Sequence, residues 1–193
     1  PATLTVKTEG AKRAYNGKPL TAEGTITGFV NGETAKFTVT GSQTTVGQSQ
    51  NTYNIDWKAK DTTAKKGNYT ISEDLGDLVV TQFAEKITVT TTGGKFTYDG
   101  NAHGATVAVT GLPAGYTVET ATSDATATDV TEKAVKAECD HLVIKDDQGK
   151  DVTSELNVDY KAGTIQINPA TLTVKTEGAK RAYNGKPLTA EGT

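Results

Sequence analysis

The sequence predicts an all-β protein assembled as a tandem of small β-sandwich modules. Composition, a period-2 alternation of apolar residues, and self-similarity along the chain carry that reading. Of 193 residues, 36 are threonine and 20 are glycine, a bias toward β-branched and turn-forming types that favours strands over helices. Only 35% of the chain is hydrophobic and 6% aromatic, against 22% charged, so any core is thin. The net charge of −3 argues against a surface for nucleic acid or anionic membrane. No run approaches the roughly 18 apolar residues that a membrane-spanning helix needs, so membrane insertion is not expected in this segment. The lack of methionine is what an excerpt or processed piece of a longer chain would show. Cys139 stands alone and cannot form an intrachain disulfide.

The element order follows from two internal repeats. Residues 1–25 and 169–193 are identical, letter for letter. Folding does not require identity at exposed positions, so the match points to recent duplication and to an array with a 168-residue unit. Inside that unit an older period of 83 aligns Leu4 with Ile87, Val6 with Val89, Tyr15 with Tyr98, Gly17 with Gly100 and Gly28 with Gly111. Near the end of each copy the offset becomes 87, matching Gly76–Val80 to Gly163–Ile167. The expected units are therefore a β-rich module at 1–83, a second at 84–168, and the start of the next copy at 169–193. The four additional residues should fall between Thr117 and Leu156.

Within each unit apolar and polar residues alternate, as on the two faces of a sheet. Leu4 and Val6, Phe37 and Val39, Ile87 and Val89, Val107 and Val109, and Ile165 and Ile167 all follow this pattern. Tyr15-Asn16-Gly17, Asn31-Gly32, Tyr98-Asp99-Gly100 and Asp146-Asp147-Gln148-Gly149 punctuate it with turn chemistry. Short strands so spaced suggest an antiparallel sandwich or a related β-rich module. A helical turn fits Asn31–Lys36 or Ala134–Ala137. The Thr81–Lys86 boundary has no Gly or Ser, so a short, stiff joint is expected there, with Phe83 packed between modules. Twenty-five residues are too few to fold alone. Leu172 and Val174 are thus expected in a buried strand, completed either by the first module of a neighbouring molecule in head-to-tail exchange or by the next repeat of a continuous array.

Leu4-Thr5-Val6, Lys12–Gly17 (Lys-Arg-Ala-Tyr-Asn-Gly), Pro19-Leu20, Gly28–Thr34 and Gly67–Ile71 resemble the MBG-type repeat of bacterial surface proteins. The second unit, with Tyr98-Asp99-Gly100, Asp147–Thr153 and Gly163–Ile167, is similar to Ig-like repeats of Gram-positive adhesins. The resemblance implies an Ig-like sandwich, or alternatively a β-grasp-like module with one short helix. It also implies a stalk or adhesive array outside the cell, on the bacterial surface. Such surface domains sometimes carry an internal Lys–Asn amide bond formed beside a buried acid. Lys7, Lys86 and Asn168 are conceivable parts, although Lys7 alternates outward and no acid is clearly placed between them.

Candidate chemistry is sparse. Cys139-Asp140-His141 could form a nucleophile or half a metal site, but Cys139 ends the Val135-Ala137-Cys139 alternation and is better read as a small buried hydrophobe. His103 beside the Asp99 turn is the only other histidine. Asp140, Asp146, Asp147 and Asp151 are calcium-type oxygen ligands without the order of an EF-hand loop, so a solvated turn is the simpler reading. Asn68-Tyr69-Thr70 matches a glycosylation acceptor, a weak signal in a bacterial surface protein. Tyr53, Ile55 and Trp57 share one strand face. Packing accounts for that face, while Trp57 and Tyr53 remain the candidate ligand contacts, since exposed aromatics anchor interfaces and stack on sugars. No cofactor, metal or catalytic set is expected. The leading functional expectation is a non-catalytic extracellular spacer whose partners are neighbouring repeats, head to tail. The alternative is an adhesive module that recognises a host glycan or protein.

Overall fold

The computed structural model describes residues 1–193, and the chain is all-β and sandwich-like, as the alternation predicts. The first half contains β1 (Ala2–Thr8), β2 (Ala11–Ala14), β3 (Gly24–Thr27), β4 (Lys36–Val39), β5 (Gly47–Gln50), β6 (Tyr53–Asp56), a 3-10 turn at Lys66–Asn68, β7 (Tyr69–Leu75) and β8 (Asp77–Thr81). The second contains β9 (Lys86–Thr92), β10 (Gly94–Thr97), β11 (His103–Gly104), β12 (Thr106–Thr110), β13 (Thr117–Thr122), β14 (Thr126–Ala127), β15 (Val135–Ala137), β16 (His141–Lys145), a 3-10 turn at Thr153–Glu155, β17 (Asn157–Lys161) and β18 (Gly163–Asn168).

The same pairing scheme occurs twice. In the first half the sheets run β3-β1-β7, β2-β8-β5 and β4-β6; in the second they run β12-β9-β17, β10-β18-β15 and β13-β16. The small β11-β14 ladder matches the isolated Leu20–Gln43 bridge. Equivalent registers confirm the match: Val6 faces Ile26 as Val89 faces Val109, and Leu4 faces Ile71 as Ile87 faces Val158. The extra residues enter where the spacing places them. One forms a bulge at Glu119, between Val118 and Thr120, and the others lie in connections before Thr153. A bulge lets a strand gain a residue without turning its buried face outward.

Two expectations need correction. The sheets are mixed rather than purely antiparallel: β1 and β2 run parallel to β7 and β8, from Ala2 beside Tyr69 to Ala14 beside Thr81. β9 and β10 repeat this beside β17 and β18. The expected helical turns at Asn31–Lys36 and Ala134–Ala137 do not form. Asn31 has a φ of +53°, which no right-handed helix accommodates, and Val135–Ala137 is spent on pairing with β18. The β-grasp alternative required a short helix; the chain has only the two 3-10 turns, at different positions.

Gly28 and Gly111 are the clearest structural equivalents. Both have positive φ, +100° and +84°. A Cβ on Gly28 would lie 2.4 Å from the Thr3 carbonyl oxygen, and one on Gly111 3.0 Å from that of Lys86. In each half the backbone leaving the third strand of the β1-type sheet passes directly over the start of the first strand, where only glycine fits.

The core follows the junction. Tyr15, Leu20, Leu78 and Val80 from the far end of the first half join Ile87, Ile144, Val152 and Leu156 from the near end of the second in one buried cluster. Phe83 is half-buried against that cluster, as expected, and its N–H donates to the Glu155 carbonyl. Smaller clusters cap the two outer ends: Leu4, Ala64 and Tyr69 at one, and Ala137, Ile165 and Ile167 at the other. The terminal copy at 169–193 neither folds back onto the second half nor finds cover in its own chain. Leu172 is 91% exposed and Val174 81%.

Candidate functional site

The candidate aromatics lie on β6 and just beyond it, opposite the outer face of β7. Both β6 and β7 are edge strands, so their facing sides leave a groove between two sheets. Tyr53, Ile55 and Trp57 from one wall meet Ile71, Glu73 and Leu75 from the other around a shallow cavity of about 350 Å³. Period 2 on both strands sets this lining: 53, 55 and 57 share a face, as do 69, 71, 73 and 75.

Trp57 is anchored rather than free. Its ring stacks on Tyr69 at 6.3 Å and 27°, and it packs beside the Leu4–Ala64–Tyr69 cluster. Phe29 meets the same Tyr69 edge-on at 5.5 Å. The Tyr69 hydroxyl donates to Glu33 Oε2 at 2.6 Å, and that bond is the main reason its phenol sits above the usual tyrosine range. Tyr53 leans on Phe37 at 5.7 Å and donates its hydroxyl to the Glu73 carboxylate. Burial and then that carboxylate push the Tyr53 phenol up to about 12. Trp57 therefore packs as its strand phase suggests, while Tyr53, Ile71 and Glu73 form the accessible lip of the groove.

The second half has its own version of this groove. Cys139 and Asp140 line a cavity of about 320 Å³ with Tyr160 and Lys161. By the repeat register Cys139 stands where Tyr53 does, and Tyr160 where Glu73 does. The aromatic has changed walls. Burial pushes the Cys139 thiol up, and its Sγ donates to the His141 carbonyl at 3.5 Å. The thiol is unactivated, and Cys139 is half-buried at the cavity wall rather than fully buried as the alternation predicts.

The remaining candidates do not converge. His141 Nε2 lies 2.9 Å from Asp124 Oδ2, and the Asp124 N–H donates to Asp140 Oδ2 at 2.7 Å. His103 stacks on Phe96 with centroids 4.0 Å apart and bonds Asp99 Oδ1 at 3.0 Å. Asp146 Oδ1 accepts the Gln148 and Lys150 N–H groups, and Asp151 Oδ1 accepts both the N–H and the hydroxyl of Thr153. These carboxylates are occupied in closing turns; the Thr153 bonds hold Asp151 below the usual carboxylate range. Groups of three or more His, Cys, Asp or Glu side chains positioned to hold a metal do not occur. Lys7 projects into solvent beside Glu9, 4.0 Å away. Asn68 is exposed at the first 3-10 turn.

One side chain that the sequence did not single out ties the halves together. Glu155, almost fully buried, accepts the Val46 N–H on Oε2 at 2.6 Å while its main-chain carbonyl takes the Phe83 N–H. It occupies the position of the exposed Asn68 in the first half, and a lone Glu in Thr-Ser-Glu-Leu offers no sequence signal for such a role. No helix of the chain is long and apolar enough to cross a membrane. The chain matches no protein-family model, and a search of curated proteins finds no match.

Proposed function

We propose that this chain is a non-catalytic spacer, a pair of β-rich repeats from the stalk of a bacterial cell-surface, adhesin-like protein, working outside the cell with neighbouring repeats as its partners. The observation that supports this reading best is the parallel pairing of the opening and closing strands in each half. β1–β2 run alongside β7–β8, so the chain enters one end of the half and leaves at the other. The ribbon from Ala2 to Ala14 spans about 40 Å at roughly 3.3 Å per residue. A unit threaded this way lengthens an array by nearly its own length, and the shared core cluster at the junction resists bending. The threonine-rich outer faces suit a stalk, because they avoid broad apolar patches.

The groove bounded by Tyr53, Trp57, Ile71 and Glu73 favours a second reading, a module that itself binds a glycan or protein. A glycan array and a pull-down with the intact chain distinguish the two. Trp57→Ala is a poor probe, since it also removes the stacking partner of Tyr69. Ile71→Ser and Glu73→Gln alter the lip with the core left in place. A spacer gives no binding in either assay; binding that these two changes abolish, with Tm unchanged, would favour the adhesive reading.

A further inference from the structure

The opening and closing strands of each half stay paired from one end of the half to the other. β1 lies parallel to β7 from Ala2 beside Tyr69 to Thr8 beside Leu75, and β2 continues parallel to β8 from Ala11 beside Leu78 to Ala14 beside Thr81. Both partners change sheets at the same level, β1 to β2 through Glu9 and Gly10, and β7 to β8 through Gly76. The seam stays closed there. The Gly76 N–H donates to the Thr8 carbonyl at 2.9 Å and lies 3.1 Å from the Thr8 hydroxyl oxygen, while a Cβ on Gly76 would collide with the Gly10 nitrogen. Side chains add bonds at both ends of the seam: the Thr70 hydroxyl donates to the Ala2 carbonyl, and the Thr81 hydroxyl to the Arg13 carbonyl, each at 3.4 Å. The second half repeats the arrangement. β9 and β10 run beside β17 and β18, and a Cβ on Gly163 would lie 2.5 Å from the Thr91 carbonyl oxygen.

We propose that this seam is a clamp against tension: a half pulled by its two ends resists unfolding far more strongly than the same half peeled open from one end. Tension entering at Ala2 draws β1 and β2 toward the entry end, and tension leaving at Thr81 draws β7 and β8 toward the exit end. The two ribbons are therefore pulled past each other, and the evenly spaced hydrogen bonds of a parallel pair run across that pull. All of them stretch together, so none yields before the rest. Were the two terminal strands joined at one end of the half, the same tension would open the bonds one at a time. Resistance of this kind follows the unfolding barrier rather than the equilibrium stability. It therefore suits a chain with a thin core, in which 21 of 193 residues are buried. The use of the clamp rests on the spacer reading, in which tension reaches each half through its ends; the shear geometry itself belongs to the fold.

The test pulls one protein in two directions. The full chain carrying Gly67→Cys and Cys139→Ser is held in a force-ramp measurement either by its two termini or by its N-terminus and the thiol at position 67. Position 67 has open space for a side chain and lies in the 3-10 turn just before β7, beside the start of β1. The second pull therefore separates β1 from β7 one pair at a time. Both pulls use the same variant, so its stability cancels from the comparison. At one ramp rate, the weaker unfolding step under the terminal pull should need at least about three times the force of the peeling pull. A smaller ratio, whether both forces are low or both are high, would overturn the clamp. That result would leave the spacer reading standing, because the spacer reading falls instead to binding in the glycan and pull-down assays.

Discussion

At the scale of single residues, the side chains that matter are those that leave polar atoms buried. Glu155 carries its carboxylate into the junction, where the Val46 N–H is its partner. Removing it strands that donor, and hydrogen bonds to charged groups contribute about 2 kcal/mol, so Glu155→Ala should lower stability by about that much in urea denaturation. Replacing its equivalent Asn68, which is exposed, should change almost nothing. Tyr53 gives a pH prediction. Its phenol is held at about 12 by burial and by Glu73. A group with a raised folded value contributes stability that is complete below its unfolded value near 10 and is lost as pH rises through about 12. Ultraviolet titration should therefore show a phenol ionising near 12 in the wild type and missing in Tyr53→Phe, with the alkaline loss of stability reduced.

At the scale of elements, the strands were legible and their neighbours were not. Alternation such as Leu4-Thr5-Val6 says which face of a strand is buried, and the structure agrees: both are fully buried in β1. The same pattern carries no information on whether β1 runs parallel or antiparallel to β7, since both arrangements bury the same face. The bulge at Glu119 was foreshadowed by the change in offset from 83 to 87, because extra residues must leave the ladder somewhere. The groove was half legible: Tyr53 and Trp57 came from phase, while Ile71 and Glu73 lie 14 or more residues further along the chain, on a strand that only the fold brings opposite. The paired glycines test the equivalence of the two halves. Gly28→Ala forces a Cβ toward the Thr3 carbonyl as well as straining φ, and should cost about 2 kcal/mol or more. Gly111→Ala meets a looser 3.0 Å contact and should cost about 1 kcal/mol. Thermal unfolding of the two variants checks both the sign and that order.

At the scale of the whole molecule, the account rests on a fixed joint between two units that thread the chain from end to end. The short Thr81–Lys86 link, Phe83 against the shared cluster and the Glu155 bonds all act at that joint. Sequence foretold the packing of Phe83 at the junction; it did not foretell that the cores on either side would merge. Residues at 1–25 were also read as strand and turn, and the exposed copy at 169–193 shows why the body is needed, because the same letters without β7 and β8 bury nothing. Amide ¹⁵N relaxation of the intact chain tests the joint most directly. A rigid pair predicts one rotational correlation time for residues 2–81 and 86–168, and two distinct times once Phe83→Ala and Glu155→Ala are combined. Two different correlation times in the wild-type chain would show halves that swivel independently, and would contradict the spacer account.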